Sequence, residues 1–270
     1  MGSRKGMGIC RETVARTFAA PISSPIDFEE RNFGRMTGTL SSKHPDLECV
    51  TRDDIAAMDP RERVKFVNSL PGFKSLILVG TRNGAGLPNL SIISTAIHLG
   101  SDPPLLGMIC RPAKVERHTY ENIKETGTYT FNHVHESFYP QAHQTSARYP
   151  REISEFTSTG LTEFHHPEVT APFVAEANLR IALKLVETLP VQANGVTLLV
   201  GEVIHVFYPT AIRERDGYLD LGEAGTIAGA GLDAYYRANR LDRLSYAKPD
   251  RPLTSLERGI GDPEASPPIR

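Results

Sequence analysis

FKSLILVGTRNGAGLPNLSIISTAIHLGSDPPLLGMICRP, residues Phe73 to Pro112, decides how the rest of the chain is read. Within Lys74 to Arg82, Ser75 to Val79 carries the apolar run expected of a strand covered on both faces. Asn83, Gly84, Gly86 and Pro88 close that strand with a hairpin turn. As a nucleotide fingerprint the two glycines fail, because Asn89 stands where the third would be and no helical pattern follows. Leu87 to His98 then places Asn89, Ser91, Ser94 and Thr95 where a core strand would be apolar. On a period of two, Asn89 and Ser91 share a face with Ile93 while Ser94 falls on the other. One ligand reaches them all only if the strand kinks or bulges near Ile92 and Ile93; otherwise they are satisfied core or edge groups. Asp102, Pro103 and Pro104 force an extended turn, and Leu105 to Cys110 is the next apolar strand.

Beyond that strand come Arg111, Lys114, Arg117 and His118, with Thr119 read as a helix N-cap and Gly127 just past the helix end. Free backbone N–H groups at a helix start, flanked by arginine, suit a phosphate; the plain alternative is an exposed, solvated helix start. Two apolar strands bracketing a polar cradle suit a ligand that is flat and polar at one end and doubly negative at the other.

Working outward, residues 1–50 mix Gly, Ser, Pro and both charge signs without periodicity and read as an N-terminal extension. Thr51, Asp53 and Asp54 offer helix caps and Pro60 a first helical position. Residues 51–210 read as one domain. Thr128 to Val134 is a strand, followed by short helices over Phe138 to Ala147 and Ser154 to Leu161. Ala175 to Leu185 alternates apolar and polar residues as a half-exposed antiparallel strand. Asn194-Gly195 signals a hairpin into Val196 to Phe207, with Gly201 where a barrel strand could bend. The expected fold is mainly β: an antiparallel barrel, closed or nearly so, with short helices capping its ends. Residues 211–270 read as a C-terminal extension, helical and then disordered, its helix running from Gly229 to Arg243 with Leu232, Tyr235, Tyr236 and Leu241 as an apolar stripe.

Composition narrows the function classes. The 270 residues carry 30 basic and 32 acidic side chains, a net charge of -2, so no single-sign field points to nucleic acid or an anionic membrane. Three cysteines, Cys10, Cys49 and Cys110, make neither a disulfide framework nor a zinc motif and suit a cytoplasmic setting. No apolar run approaches the roughly 20 residues of a membrane helix, and the N-terminus has no signal-peptide core. His133, His135, His143, His165 and His166 lack carboxylates or cysteines at supporting spacing. No metal is expected, and they are read as surface or ligand-edge histidines.

Taken in order, PNLSIISTAIHLGSDPPLLGMICRP (88–112), RHTYENIKETGTYTFNHV (117–134), the alternating strand and the Asn-Gly hairpin resemble the flavin reductase-like FMN-binding split-barrel family, which includes flavoredoxins and short-chain flavin reductases. The resemblance covers residues 60–210. It implies a split barrel and a homodimer with FMN held non-covalently near the subunit junction. By that analogy Asn89, Ser91, Ile92 and Ser94, with Thr95 beside them, line the ring system and ribityl chain. Arg111, Arg117, His118 and Thr119 hold the phosphate, with Asn122 near by. The implied activity is hydride transfer to flavin from NADH or NADPH, with an electron-accepting protein or oxygenase as a further partner. His166 and His205 are the candidates to face the nicotinamide. Two other readings are an FMN electron carrier reduced by a protein partner, in the manner of flavoredoxin, and a small-barrel enzyme whose histidines hold a metal.

Overall fold

In the computed structural model, which describes residues 47–112 and 116–256, seven antiparallel strands make one sheet that curls back on itself. In chain order the strands are β1 (Lys74–Ser75), β2 (Ile77–Arg82), β3 (Pro88–Ile93), β4 (Ile97–Ser101), β5 (Pro104–Cys110), β6 (Thr128–His133), β7 (Glu163–His166), β8 (Val169–Val174), β9 (Arg180–Pro190), β10 (Thr197–Phe207), β11 (Ile227–Ala230) and β12 (Ala234–Arg237). The helices are α1 (Arg52–Ala57), α2 (Pro60–Ser69), α3 (His118–Thr126), α4 (Tyr139–Gln144) and α5 (Glu155–Thr159). None is long and apolar enough to cross a membrane.

The large sheet runs β3-β2-β6-β9-β10-β5-β4, so β3 and β4 are its two outer strands. Only Ser94, Thr95 and Ala96 join them. Four Cα steps of about 3.8 Å span at most ~15 Å, which brings the two edges together. No ladder pairs β3 with β4, and the barrel is split at this corner.

The apolar run in β2 is explained by burial on both faces. Ile77 and Val79 join Met108, Ile123, Tyr129, Phe131, Leu183 and Leu199 in one core cluster. Leu76 and Leu78 face the other way, into Leu90, Val134, Phe138, Ala142 and Phe156, a cluster to which α4 and α5 contribute. The β10 ladder shifts register between Val200 and Gly201, where the sequence leaves room for a bend. A Cβ at Gly201 would meet the Tyr129 hydroxyl at 2.2 Å, so the core ring occupies the space a side chain would need.

The short β7–β8 hairpin is fastened to the barrel by polar groups in its wall. Thr130 donates to the Pro172 carbonyl (2.6 Å), and Asn132 accepts from the Val174 N–H (2.9 Å) while donating to the Leu78 carbonyl (3.0 Å). These bonds account for two fully buried polar side chains in β6.

The structure departs from the sequence reading in several places. The expected C-terminal helix from Gly229 to Arg243 is a hairpin: β11 and β12 pair with each other and β11 with β1. Gly229 packs against Leu76, leaving 2.7 Å for a Cβ, and Gly231 turns the chain at φ +59, so backbone approach and turn geometry outweigh the helix-like spacing of the apolar residues. The alternating strand begins at Arg180 rather than Ala175, because residues 175–179 turn and the Arg180 side chain donates to the Ala175 and Ala177 carbonyls. The Asn194-Gly195 pair sits in a loop closed between Val191 and Val196, longer than a two-residue turn. Of the expected extensions, residues 1–46 and 257–270 lie outside the described residues, as does Lys114.

Candidate functional site

The split corner opens onto a cleft of about 860 Å³. That volume lies in the range of cofactor-sized pockets, roughly 300–1,000 Å³. One wall is β3 and the residues after it: Asn89, Ser91, Ile92, Ile93, Ser94 and Thr95. The strand stops at Ile93, which frees Ser94 and Thr95 from alternation and lets them line the same cleft as Asn89 and Ser91. The opposite wall is β5, from Met108 to Cys110, continuing to Arg111. Thr95 staples the walls at the corner, its hydroxyl donating to the Ile109 carbonyl (3.2 Å) and accepting from the Ile109 N–H (3.3 Å).

As an edge strand, β3 has backbone groups to satisfy, and side chains from the helices do so. The Leu90 N–H donates to Glu155 Oε2 (2.9 Å) and the Ile92 N–H to the Thr145 hydroxyl (3.0 Å). Glu155 is buried, and burial pushes its carboxyl above the usual range against the opposing pull of the Leu90 N–H and the His118 charge. Burial likewise pushes the Cys110 thiol up to about 11 although Arg117 lies near, so it is a protonated lining group at neutral pH.

At its basic end the cleft meets the start of α3. Arg117 is the N-cap position, without a side-chain cap bond, and its own N–H donates to Glu121 Oε1 (3.0 Å). Thr119, expected as the cap, lies inside the first turn, where its hydroxyl accepts from Asn89 Nδ2 (3.1 Å). Arg111, Arg117, His118 and Thr119 all line the cleft. The Arg117 Nε is buried with no hydrogen-bond partner among the described residues. A buried guanidinium donor left over at a helix start is what an anionic group such as a phosphate would satisfy.

Three sequence candidates lie elsewhere. Asn122 is buried behind the cleft and donates to the Thr81 hydroxyl (3.1 Å). His166 and His205 do not line the cleft; they stand beside each other on β7 and β10, ring centroids 4.9 Å apart. The cleft has further lining residues, among them His143, which the sequence marks only as a surface or ligand-edge histidine. Lys74 reaches the rim with its ammonium donating to the Gly231 (2.8 Å) and Asn68 (3.1 Å) carbonyls. His143 and Tyr235 also line the cleft, joined Nδ1 to hydroxyl at 2.7 Å, so α4 and the β11–β12 hairpin meet over it. Tyr236 instead points away and packs edge-on against Phe73. Thr145 and Glu155 were hidden because nothing local distinguishes a helix residue that caps a distant strand.

A family model described as a flavin reductase like domain matches residues 73–225. An uncharacterized protein of Halalkalibacterium halodurans is 27% identical over 179 residues, 63% of this chain and 85% of that protein. Among solved structures, a candidate flavin reductase with split barrel domain from Shewanella frigidimarina is 47% identical, with a TM-score of 0.72 over 74% of this chain and 100% of that one. Flavoredoxin of Desulfovibrio vulgaris is 26% identical, with a TM-score of 0.56 over 66% of this chain and 92% of that one.

Proposed function

This chain belongs to the flavin reductase like family, and we propose that it is an FMN-binding oxidoreductase that passes hydride from NADH or NADPH to the flavin. The observation that carries the reading is the cleft at the split corner, polar along β3 and ending at Arg117, whose Nε is buried without a hydrogen-bond partner among the described residues. In this reading Asn89, Ser91, Ile92, Ser94 and Thr95 bind the ring edge and ribityl chain, whose hydroxyls and amides match these donors and acceptors. Arg111, Arg117, His118 and Thr119 take the phosphate through charge-assisted bonds and the N-terminus of α3. Asn122 acts one layer behind, holding α3 against β2 through Thr81.

When bound, FMN supplies the two-electron acceptor, taking hydride from the nicotinamide C4. The chain's part is position and access. Glu155 and Thr145 hold the β3 edge rigid by capping its free N–H groups, which fixes the wall against which the ring rests. The Tyr235–His143 pair and Lys74 cover one side and limit the entry of water.

The same reading includes a homodimer, supported by exposed apolar side chains on β9 and β10, among them Val186, Leu189, Ile204 and Val206. It includes a cytoplasmic setting, supported by free thiols at Cys49 and Cys110. A second reading, an FMN electron carrier served by a protein reductant, is favoured by the similarity to flavoredoxin.

The test is an absorption spectrum of the untreated protein, chromatography of the released chromophore, and anaerobic oxidation of NADH and NADPH. Bound FMN reduced rapidly by either nucleotide supports the proposal. Bound FMN reduced by dithionite alone supports the carrier, and a colourless chain that takes up no FMN at micromolar concentration overturns both.

A further inference from the structure

At the β7–β8 hairpin, three ligand-bearing side chains converge from two separate sheets. His166 ends β7, Glu168 lies in the turn that follows, and His205 belongs to β10 of the large sheet. One ligand atom from each lies within 4.8 Å of the other two. His205 Nε2 stands 2.9 Å from Glu168 Oε2, and the two imidazoles lie side by side. We infer that His166, Glu168 and His205 form a binding site for a divalent transition ion, Zn²⁺ foremost, which clamps the β7–β8 hairpin to β10.

Backbone irregularity aims these rings. The β7–β8 ladder shifts register between Phe164 and His166, and the β9–β10 ladder shifts between Val203 and His205. On β10 the extra residue, Ile204, stands immediately before His205, a bulge of the kind by which strands redirect a side chain next to a site. On the hairpin the irregular pairing comes just before His166, and the two rings meet between the sheets. The His205 nitrogen turned towards Glu168 is Nε2, and it is the one placed to ligate an ion.

The donor set selects the ion. Two imidazoles and one carboxylate suit Zn²⁺, and also Co²⁺, Ni²⁺ and Cu²⁺, whereas Ca²⁺ and Mg²⁺ require more oxygen donors. On one side the rings lean on Phe207, whose centroid is 5.3 Å from that of His166, and Phe164 and Phe173 pack behind it. On the other, the Glu168 side chain is exposed, which leaves an entry path and at least one coordination position open. None of the three lines the flavin cleft, so the inference stands or falls apart from the flavin reading.

The experiment uses full-length protein freed of any affinity tag, stripped with chelator and titrated with Zn²⁺ by calorimetry and with Co²⁺ by visible absorption. Expected are one equivalent per chain, cobalt bands of a nitrogen-oxygen site, and a melting temperature that rises on zinc addition, because an ion bound to the folded state alone stabilises it. His205→Ala and Glu168→Gln should each lower zinc affinity at least about tenfold and abolish the thermal shift. Glu168→Gln changes an exposed side chain and keeps the assay interpretable if the histidine variant folds poorly. No saturable uptake at micromolar Zn²⁺, or uptake unchanged in the folded variants, would overturn the inference.

Discussion

Asn89 on β3 donates its side-chain amide to the hydroxyl of Thr119 in the first turn of α3, 3.1 Å away. The bond ties the polar wall of the cleft to its cationic end and sets the span between them. Asn89→Ala removes a net contribution of about 1 kcal/mol to stability and one polar group from the cleft wall. The melting temperature should fall by about 2–4 °C, and FMN affinity, followed by quenching of flavin fluorescence, should fall about fivefold. An unchanged affinity would mean that the span is fixed by other contacts.

Arg117 and Tyr236 make a second comparison. A charge-assisted contact to phosphate is worth about 1.5–3 kcal/mol, so Arg117→Ala should weaken FMN binding by at least about tenfold. Tyr236 lies outside the cleft against Phe73, and Tyr236→Ala should leave binding within about twofold. Equal losses in the two variants would show that the phosphate sits elsewhere.

The joint between β8 and the barrel wall makes Asn132 a stability determinant. Asn132→Leu strands the buried Val174 N–H, at a cost of about 1–3 kcal/mol. Urea unfolding should show a loss of that size, more than Tyr236→Ala produces. A midpoint matching that of the parent protein would contradict the polar attachment of the hairpin.

His133 gives a signed pH dependence. Burial pushes its imidazole down to about 4 from the usual 6.5, so the unfolded chain binds its proton more readily than the folded one. The stability this represents is present above pH 6.5 and is lost as pH falls towards 4, up to about 3 kcal/mol in all. Comparing urea midpoints at pH 7 and pH 5 in the parent and in His133→Asn should show a steeper acid loss in the parent. Parallel losses would assign the acid sensitivity to other groups.

Where one strand decides its own environment, the sequence was readable. Ile77 to Val79 announce burial on both faces, and Asn89 to Thr95 can meet one ligand only if the strand kinks or bulges near Ile92 and Ile93; the strand instead stops at Ile93. The interruption at Gly201 was visible for the same reason. Illegible were features made by distant partners. Glu155 and Thr145 matter only because β3 is an outer strand, and Lys74 reaches the cleft rim only because β11 returns to pair with β1. Leu232, Tyr235 and Tyr236 fit a spacing of three to four, which predicts a helix where β11 and β12 form a hairpin. Tyr235 and Tyr236 also fit a period of two, and the pairing of β1 with β11 decided between the periods. β8 carries no signal of its own position, because its anchors, Thr130 and Asn132, belong to another strand.

The gap between β3 and β4 has one more implication. A molecule lodged in the cleft that opens there touches β3 on one side and β5 on the other, and supplies cross-links that the backbone does not. Tightness of the empty protein and its appetite for the guest are then two readings of one quantity. Amide exchange should therefore slow most sharply, on loading, along the three-residue thread that now carries the closure alone.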